Sequence, residues 1–382
     1  MLENRKLVLD TWSEIYSMLK QHADRIFWNL EEHIQKNQIV PNALYIIGRE
    51  QIRLHGDKFR TLMTEHNIKA VFSNPHEGSE TLKNHCEQYG IADLVLDKKI
   101  ILVGGGDMDP SWPCLQYDSF LPKILDYDEN LTAIEKYKEI SNITRPYKFL
   151  FLNGRTRPQR KYLLERFRVN KLLDQAIWTN LDSTTAGNRE ISFMHNGQDL
   201  MYEPFPIHYL DPCYEVETYH KGITQNTATD NYVKHSLFNN EWGEIYLRPE
   251  PYADTYFSLV TETVYTYPYS FRTEKIWKPL AIGHPWIAVA NQGYYRDMHN
   301  LGFQTFGHVI DESFDQIENN QDRIERTAQI VEDLCQQDLA AFIVECYNVC
   351  KYNQQHLAEM SQKVRKEFPE QFTHFINQYF HE

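Results

Sequence analysis

Apolar and aromatic side chains recur near the helical period over residues 7–35, at Leu9, Trp12, Ile15, Tyr16, Leu19, Ile26, Phe27, Leu30 and Ile34. That spacing predicts an opening helical region. The pattern then changes to short β-branched runs at residues 43–47 (ALYII), 70–72 (AVF) and 100–103 (IILV), with polar stretches of helical pattern such as 78–89 between them. Strands alternating with helices predict a parallel, doubly wound sheet. A second series opens at residues 147–152 (YKFLFL), just after Thr144-Arg145-Pro146, and runs into a helical stretch at 159–167. Because the preceding segment, 126–142, is charged and helical in pattern, a hinge is expected at 140–146. Residues 180–240, rich in Asn, Thr, Asp and Tyr, carry no clear period. Regular signals return at 256–264, 274–282 and 285–290, and residues 324–380 form a tail of helical period. No repeat of fixed spacing stands out.

The chain has 382 residues, enough for two to three domains at ~150 residues each. With 42% apolar and 13% aromatic residues against 24% charged, a collagen-like or disordered chain is excluded. Lys+Arg 39 against Asp+Glu 53 gives a net charge of -14, so there is no average attraction to nucleic-acid phosphates or an anionic membrane, and only a local basic cleft is left open. Six cysteines without a C-x-x-C pair suggest neither a zinc ribbon nor a disulfide scaffold, and a reduced compartment is the default. Charges interrupt every apolar run in residues 1–20, which excludes a secretory signal, and no stretch reaches the ~18 apolar residues of a membrane span. A soluble, cytoplasmic protein without a membrane span is expected.

Two segments carry candidate chemistry. Asn153-Gly154-Arg155-Thr156-Arg157-Pro158-Gln159-Arg160 lies between a strand and a helix, where backbone N–H groups and the positive helix end can receive an anion. Arg155, Arg157 and Arg160 add guanidiniums suited to bidentate phosphate contact. The plainer alternative is a solvated helix start, against which stands the unfavourable placement of cations at a helix N-terminus when no anion intervenes. The second segment is Thr261-Glu262-Thr263, followed by Phe271-Arg272-Thr273-Glu274-Lys275 and a helix that ends at Gly283-His284-Pro285. A carboxylate at a strand's carboxyl end can accept ribose hydroxyls while Arg272 or Lys275 reaches a diphosphate; an ordinary salt-bridged surface helix is the other reading.

These two segments resemble the donor-binding region of GT-B glycosyltransferases, particularly the α1,3-fucosyltransferase-like group. Thr273-Glu274-Lys275, the upstream Glu262, and the helix, glycine and strand that follow are similar to that group's F-E-N and Y-V-T-E-K segments, and Asn153 with Arg160 is similar to its upstream S-N and Arg pattern. The likeness covers residues 147–167 and 256–312. It departs where Thr261-Glu262-Thr263 replaces F-E-N, where the loop to T-E-K is longer, and where Arg272 replaces the usual Val. The resemblance implies that Arg160 and Lys275 bind a donor diphosphate and that Glu274 and Glu262 bind ribose or sugar hydroxyls. Asn153, Arg155, Arg157, Arg272 and Thr273 complete the expected donor site. It implies two Rossmann-like domains facing a cleft: residues 1–144 for the acceptor, 145–335 for the nucleotide sugar, and a helical tail at 336–382 returning to the first domain. The expected partners are a nucleotide sugar and an acceptor glycan or other hydroxyl compound, nucleic acid entering only as an acceptor. The growing charge on a diphosphate leaving group can be neutralised by cationic side chains, so neither a metal nor a cofactor is expected.

An acceptor hydroxyl needs a general base, usually a carboxylate. Glu77, in Ser73-Asn74-Pro75-His76-Glu77-Gly78, and Asp107, after Gly104-Gly105-Gly106, follow strand runs of the first domain. The consecutive glycines there would let backbone approach a ligand. For Glu77 the alternative is a carboxylate favoured at a helix N-terminus. Asp107-Met108-Asp109 also admits a rival, metal-dependent GT-A reading, since a D-x-D after a strand can hold a divalent cation. Two further alternatives are a non-catalytic nucleotide-binding module and a transferase acting on modified bases of viral DNA. Cys346 and Cys350 lie one helical turn apart without further ligands nearby, and the tyrosines at 252, 256, 265, 267 and 269 are read as packing or as stacking surfaces. The chain lacks G-x-x-x-x-G-K-[ST], G-x-G-x-x-G and H-E-x-x-H, which disfavours P-loop ATPases, kinases, typical NAD enzymes and zincins.

Overall fold

The structure is a computed structural model that describes residues 26–27, 34–47, 60–154, 157–180, 193–195, 198–199, 205–206, 208 and 247–380. The chain forms two compact units. Unit 1 comprises residues 1–123, 269–272 and 360–382, and unit 2 comprises 124–268 and 273–359. The division therefore falls at residue 124, not at 144, and the tail changes unit at Met360 within a single helix.

Unit 1 contains strands β1 (Ile26–Phe27), β2 (Leu44–Ile47) and β3 (Lys69–Gly78), helices α1 (Ser79–Gln88) and α2 (Ala92–Leu96), strands β4 (Ile100–Gly105) and β5 (Cys114–Gln116), and the short α3 (Phe120–Lys123). The β-branched runs are strands, as predicted. The opening helical region is not found at Ile26 and Phe27, which pair in parallel with Leu44 and Tyr45; sheet pairing overrides the local period there. The rest of 7–33 lies outside the described residues.

All strand pairings in this sheet are parallel, in the order β1-β2-β3-β4-β5. Right-handed crossovers between strands added in one direction put their helices on one face. Accordingly Met63, Leu82, Cys86, Leu94 and Val95 pack on the face of Tyr45, Ile47, Ala70, Phe72, Ile100 and Leu102. The opposite face, with Leu44, Ile46, Val71, Ile101 and Val103, is covered by Tyr117, Phe368 and Phe372. The rings of Tyr117 and Phe368 stack with centroids 4.0 Å apart. Unit 1 thus lacks, among the described residues, the reversal of strand order expected of a doubly wound sheet, and the C-terminal helix covers the face that the crossovers leave open.

Two of the three glycines at the end of β4 are closely packed. A Cβ on Gly104 would meet Ser79, and Gly106, at φ +68°, has room only for hydrogen: a Cβ would stand 2.4 Å from the Ser270 carbonyl oxygen and 2.9 Å from Phe271 Cα. Gly106→Ala is expected to cost about 2–4 kcal/mol, adding left-handed backbone strain to overpacking. Urea unfolding reads this directly; an unchanged midpoint would mean that the 269–272 segment yields without cost.

Unit 2 contains α4 (Asp128–Ile140), β6 (Tyr147–Phe151), α5 (Pro158–Val169), β7 (Ala176–Trp178), the hairpin β8 (Met194–His195) and β9 (Gln198–Asp199), α6 (Pro249–Ala253), β10 (Thr255–Thr261), α7 (Glu274–Ile282), β11 (Trp286–Val289), α8 (Tyr294–Asn300), α9 (Asn320–Leu334) and the first half of α10 (Leu339–Phe380). α4, expected on the first-domain side of a hinge, belongs here because the Asn130 side chain donates to the Ile124 carbonyl and accepts from Leu247 N–H. The tail of helical period is formed by α9 and α10, and between them Asp338 Oδ1 accepts from the N–H groups of Ala340 and Ala341.

The larger sheet is parallel, in the order β11-β10-β6-β7. After β6 the chain adds β7 on one side, then returns to add β10 and β11 on the other. The order reverses between β6 and β10, which makes this unit doubly wound in the Rossmann-like sense. Phe149, Phe151, Phe167 and Phe257 form its aromatic centre. His284 anchors the turn into β11, bonding Ser258 Oγ at 2.9 Å and the Thr255 carbonyl at 2.7 Å; burial drives its imidazole pKa down to about 3. Among the described residues no helix is long and apolar enough to cross a membrane.

Candidate functional site

The reversal between β6 and β10 locates the site, because ligands of open α/β sheets bind outside the carboxyl ends of the strands flanking it. Every element leading away from those two ends carries a residue singled out by sequence. β6 runs into Asn153, whose side chain is buried. Its N–H donates to Thr179 Oγ1 at 2.9 Å, and its Oδ1 accepts from Thr261 Oγ1 at 2.9 Å. Asn153 therefore ties together the ends of β7, β6 and β10.

The helix after β6 starts with Arg157 as N-cap and Pro158 in its first turn, a position suited to proline because its missing N–H has no intrahelical partner. Arg160 is buried, and its Nη2 donates to the Thr261 carbonyl at 3.0 Å. Burial, then the neighbouring Arg157 guanidinium, pull the Arg160 pKa down to about 10, while Glu274 and Glu262 act in the opposite sense. Gln159 Nε2 donates to the Glu262 carbonyl at 2.9 Å. Arg155 lies outside the described residues.

Thr273 is the N-cap of α7, its Oγ1 accepting from Lys275 N–H. Glu274 in the first turn favours the helix dipole and Lys275 opposes it. The Lys275 ammonium contacts Thr273 Oγ1 at 3.1 Å and pairs with Glu274 Oε1. Burial pushes the Glu274 carboxyl upward, but the charge and hydrogen bond of Lys275, with Lys278, bring it below its ordinary value. Glu262 is fully buried. Its Oε1 accepts from Thr273 N–H and Tyr294 OH, both at 3.1 Å, and its Oε2 accepts from Thr273 Oγ1 at 2.7 Å. Desolvation raises its pKa against the opposing charge of Lys275.

Arg160 and Lys275 thus act on the same two carboxylates, Glu262 just after β10 and Glu274 at the start of α7. Arg157 acts on Arg160 and Lys278 on Glu274. Of the partners that hold this end of the sheet in shape, Gln159 lies inside the arginine-rich segment singled out by sequence, whereas Thr179 and Tyr294 carried no signal there, because their relevance depends on long-range pairing.

Arg272 does not join this cluster. It belongs to unit 1, where its Nη1 and Nη2 bind Asp107 at 2.8 and 2.9 Å and its Nε binds Asp118 at 3.0 Å. The guanidinium pairs with two carboxylates, an ion-pair role that stands beside the donor-binding role expected of Arg272. Asp107 accepts from Arg272 through both oxygens. Asp109 turns instead to Ser111 N–H at 2.9 Å, a bond that lowers its pKa. The two aspartates of D-x-D therefore serve different partners, and no group of three or more His, Cys, Asp or Glu side chains suited to a metal occurs among the described residues. Glu77 lies within β3, half-buried, one residue before the N-cap Gly78 of α1. Tyr252 and Tyr265 are buried, Tyr265 beneath the Arg323 guanidinium, and Tyr256 OH accepts from Arg145 N–H; they are packing residues.

No family model matches the chain, and no curated protein or solved structure is significantly similar to it.

Proposed function

We propose that unit 2 binds the diphosphate of a nucleoside diphosphate sugar and that the protein is a GT-B-type glycosyltransferase acting on an acceptor hydroxyl. The observation carrying this reading is the convergence of Arg160 and Lys275 on the carboxyl end of β10, beside the reversal of strand order. In the reaction the acceptor oxygen bonds to the anomeric carbon as the bond from that carbon to the diphosphate breaks. The acceptor proton passes to a carboxylate, and the two cations neutralise the charge gathering on the leaving group. Unit 1 is assigned to the acceptor. Its candidate bases are Glu77 and Asp107, the latter paired with Arg272.

A thermal-shift series with ADP, GDP, UDP and CDP, each with and without a chelator, tests the reading. One nucleotide is expected to raise the melting temperature by an amount that grows with its concentration over its dissociation constant. The chelator arm reads any metal requirement. Release of that nucleotide from its sugar conjugate then separates a transferase from a binding module. No shift with any of the four removes the proposal.

A further inference from the structure

We infer that Glu262 is a positioning residue, whose buried carboxylate orients the Thr273 hydroxyl and so fixes the Lys275 ammonium at the anion site. The inference rests on the diphosphate reading of unit 2 and assigns Glu262 a role different from binding substrate hydroxyls.

Glu262, Thr273 and Tyr294 are at most 3% exposed. An ionised carboxylate can only accept, and a threonine hydroxyl has a single proton to give. Because that proton points to Glu262 Oε2 at 2.7 Å, the hydroxyl lone pairs face the other way. There they receive the Lys275 ammonium at 3.1 Å and the Lys275 N–H at 3.4 Å. The second carboxylate oxygen takes the Thr273 N–H and Tyr294 OH. The N-cap and the first turn of α7 are thus oriented by one acceptor-only group, which through Thr273 joins Glu274 in placing the ammonium. A glutamine cannot replace it. With its NH₂ towards Thr273 Oγ1 it would donate to the hydroxyl and turn that proton towards Lys275. Flipped, it would oppose its own N–H to that of Thr273.

The test is calorimetric titration of the full chain with inorganic pyrophosphate, a probe independent of the nucleobase. Wild type is expected to bind. Lys275→Ala and Glu262→Gln should each weaken binding about tenfold or more, the loss expected for a charge-assisted contact. The double variant should bind no more weakly than Lys275→Ala alone, since both changes remove one contact. Tyr294→Phe, a milder change, should weaken binding about threefold with Lys275 present and not at all in the Lys275→Ala background; it decides the matter if Glu262→Gln does not fold. Losses that multiply in the double variants, or wild-type affinity in Glu262→Gln and Tyr294→Phe while Lys275→Ala is impaired, overturn the inference alone. No binding by wild type, or binding untouched by Lys275→Ala, overturns the diphosphate reading and this inference with it.

Discussion

Arg160→Ala and Lys275→Ala are each expected to lower turnover of the nucleotide-sugar donor by about two orders of magnitude or more, the loss typical when one preorganised charge partner of a transition state is removed. The two should differ in kind. Arg160 is buried between the β10 end and α5, and its bond to the Thr261 carbonyl already fixes its direction. In the proposed reaction its positive charge would meet the diphosphate without reorganisation, so Arg160→Ala should appear mainly in kcat. Arg160→Lys should recover little, because an ammonium cannot both hold the Thr261 carbonyl and present a planar fork. Lys275 is more exposed and must leave Glu274 to meet a ligand. Lys275→Ala should therefore raise KM as well as lower kcat. Arg157, at the N-cap and only half-buried, should matter less than either. Steady-state rates of nucleoside diphosphate release check all three, and near-normal rates in both the Arg160 and Lys275 variants would remove the assignment.

Much of this site was legible before any coordinates. A continuous apolar run such as FLF at 149–151 or IILV reads as a strand because a parallel sheet buries both faces, and Thr273-Glu274 followed by an apolar helix and Gly283 carries its own start and stop signals. α7 accordingly spans Glu274–Ile282, its Gly283 cap at φ +79°. What could not be read depends on partners distant in sequence. β5 and β7 are only three residues long, too short to show a period, and β1 exists through its pairing with β2. The triple glycine reads as a ligand loop, and the packing of Ser270 and Phe271 against Gly106 comes from a segment distant in sequence. Glu262 has the residue type of a ligand-binding carboxylate, and only its burial and its three donors reveal that it faces the protein.

Arg272→Ala is expected to destabilise unit 1 by about 3–5 kcal/mol, the cost of breaking a buried ion pair from one side. The guanidinium is 3% exposed, and its partners Asp107 and Asp118 are 34% and 13% exposed. Removal would leave Asp118 nearly buried without its cation, while Asp107 could be rescued in part by water. The Asp118 carboxylate also accepts from Gly106 N–H at 2.6 Å, and Asp107 N–H donates to the Ser270 carbonyl at 2.8 Å, so the end of β4 should loosen with the 269–272 segment. Arg272→Met should be nearly as damaging, because it restores side-chain bulk and not charge. Adding Asp118→Asn to Arg272→Met should recover part of the loss, since the stranded charge is then gone. Urea unfolding of these variants supplies the free energies. Pyrophosphate titration separates this role from the one expected by resemblance. A donor-binding Arg272 would lose affinity and keep its stability, whereas an ion-pair Arg272 loses stability and keeps pyrophosphate affinity within about threefold under conditions where the variant is folded.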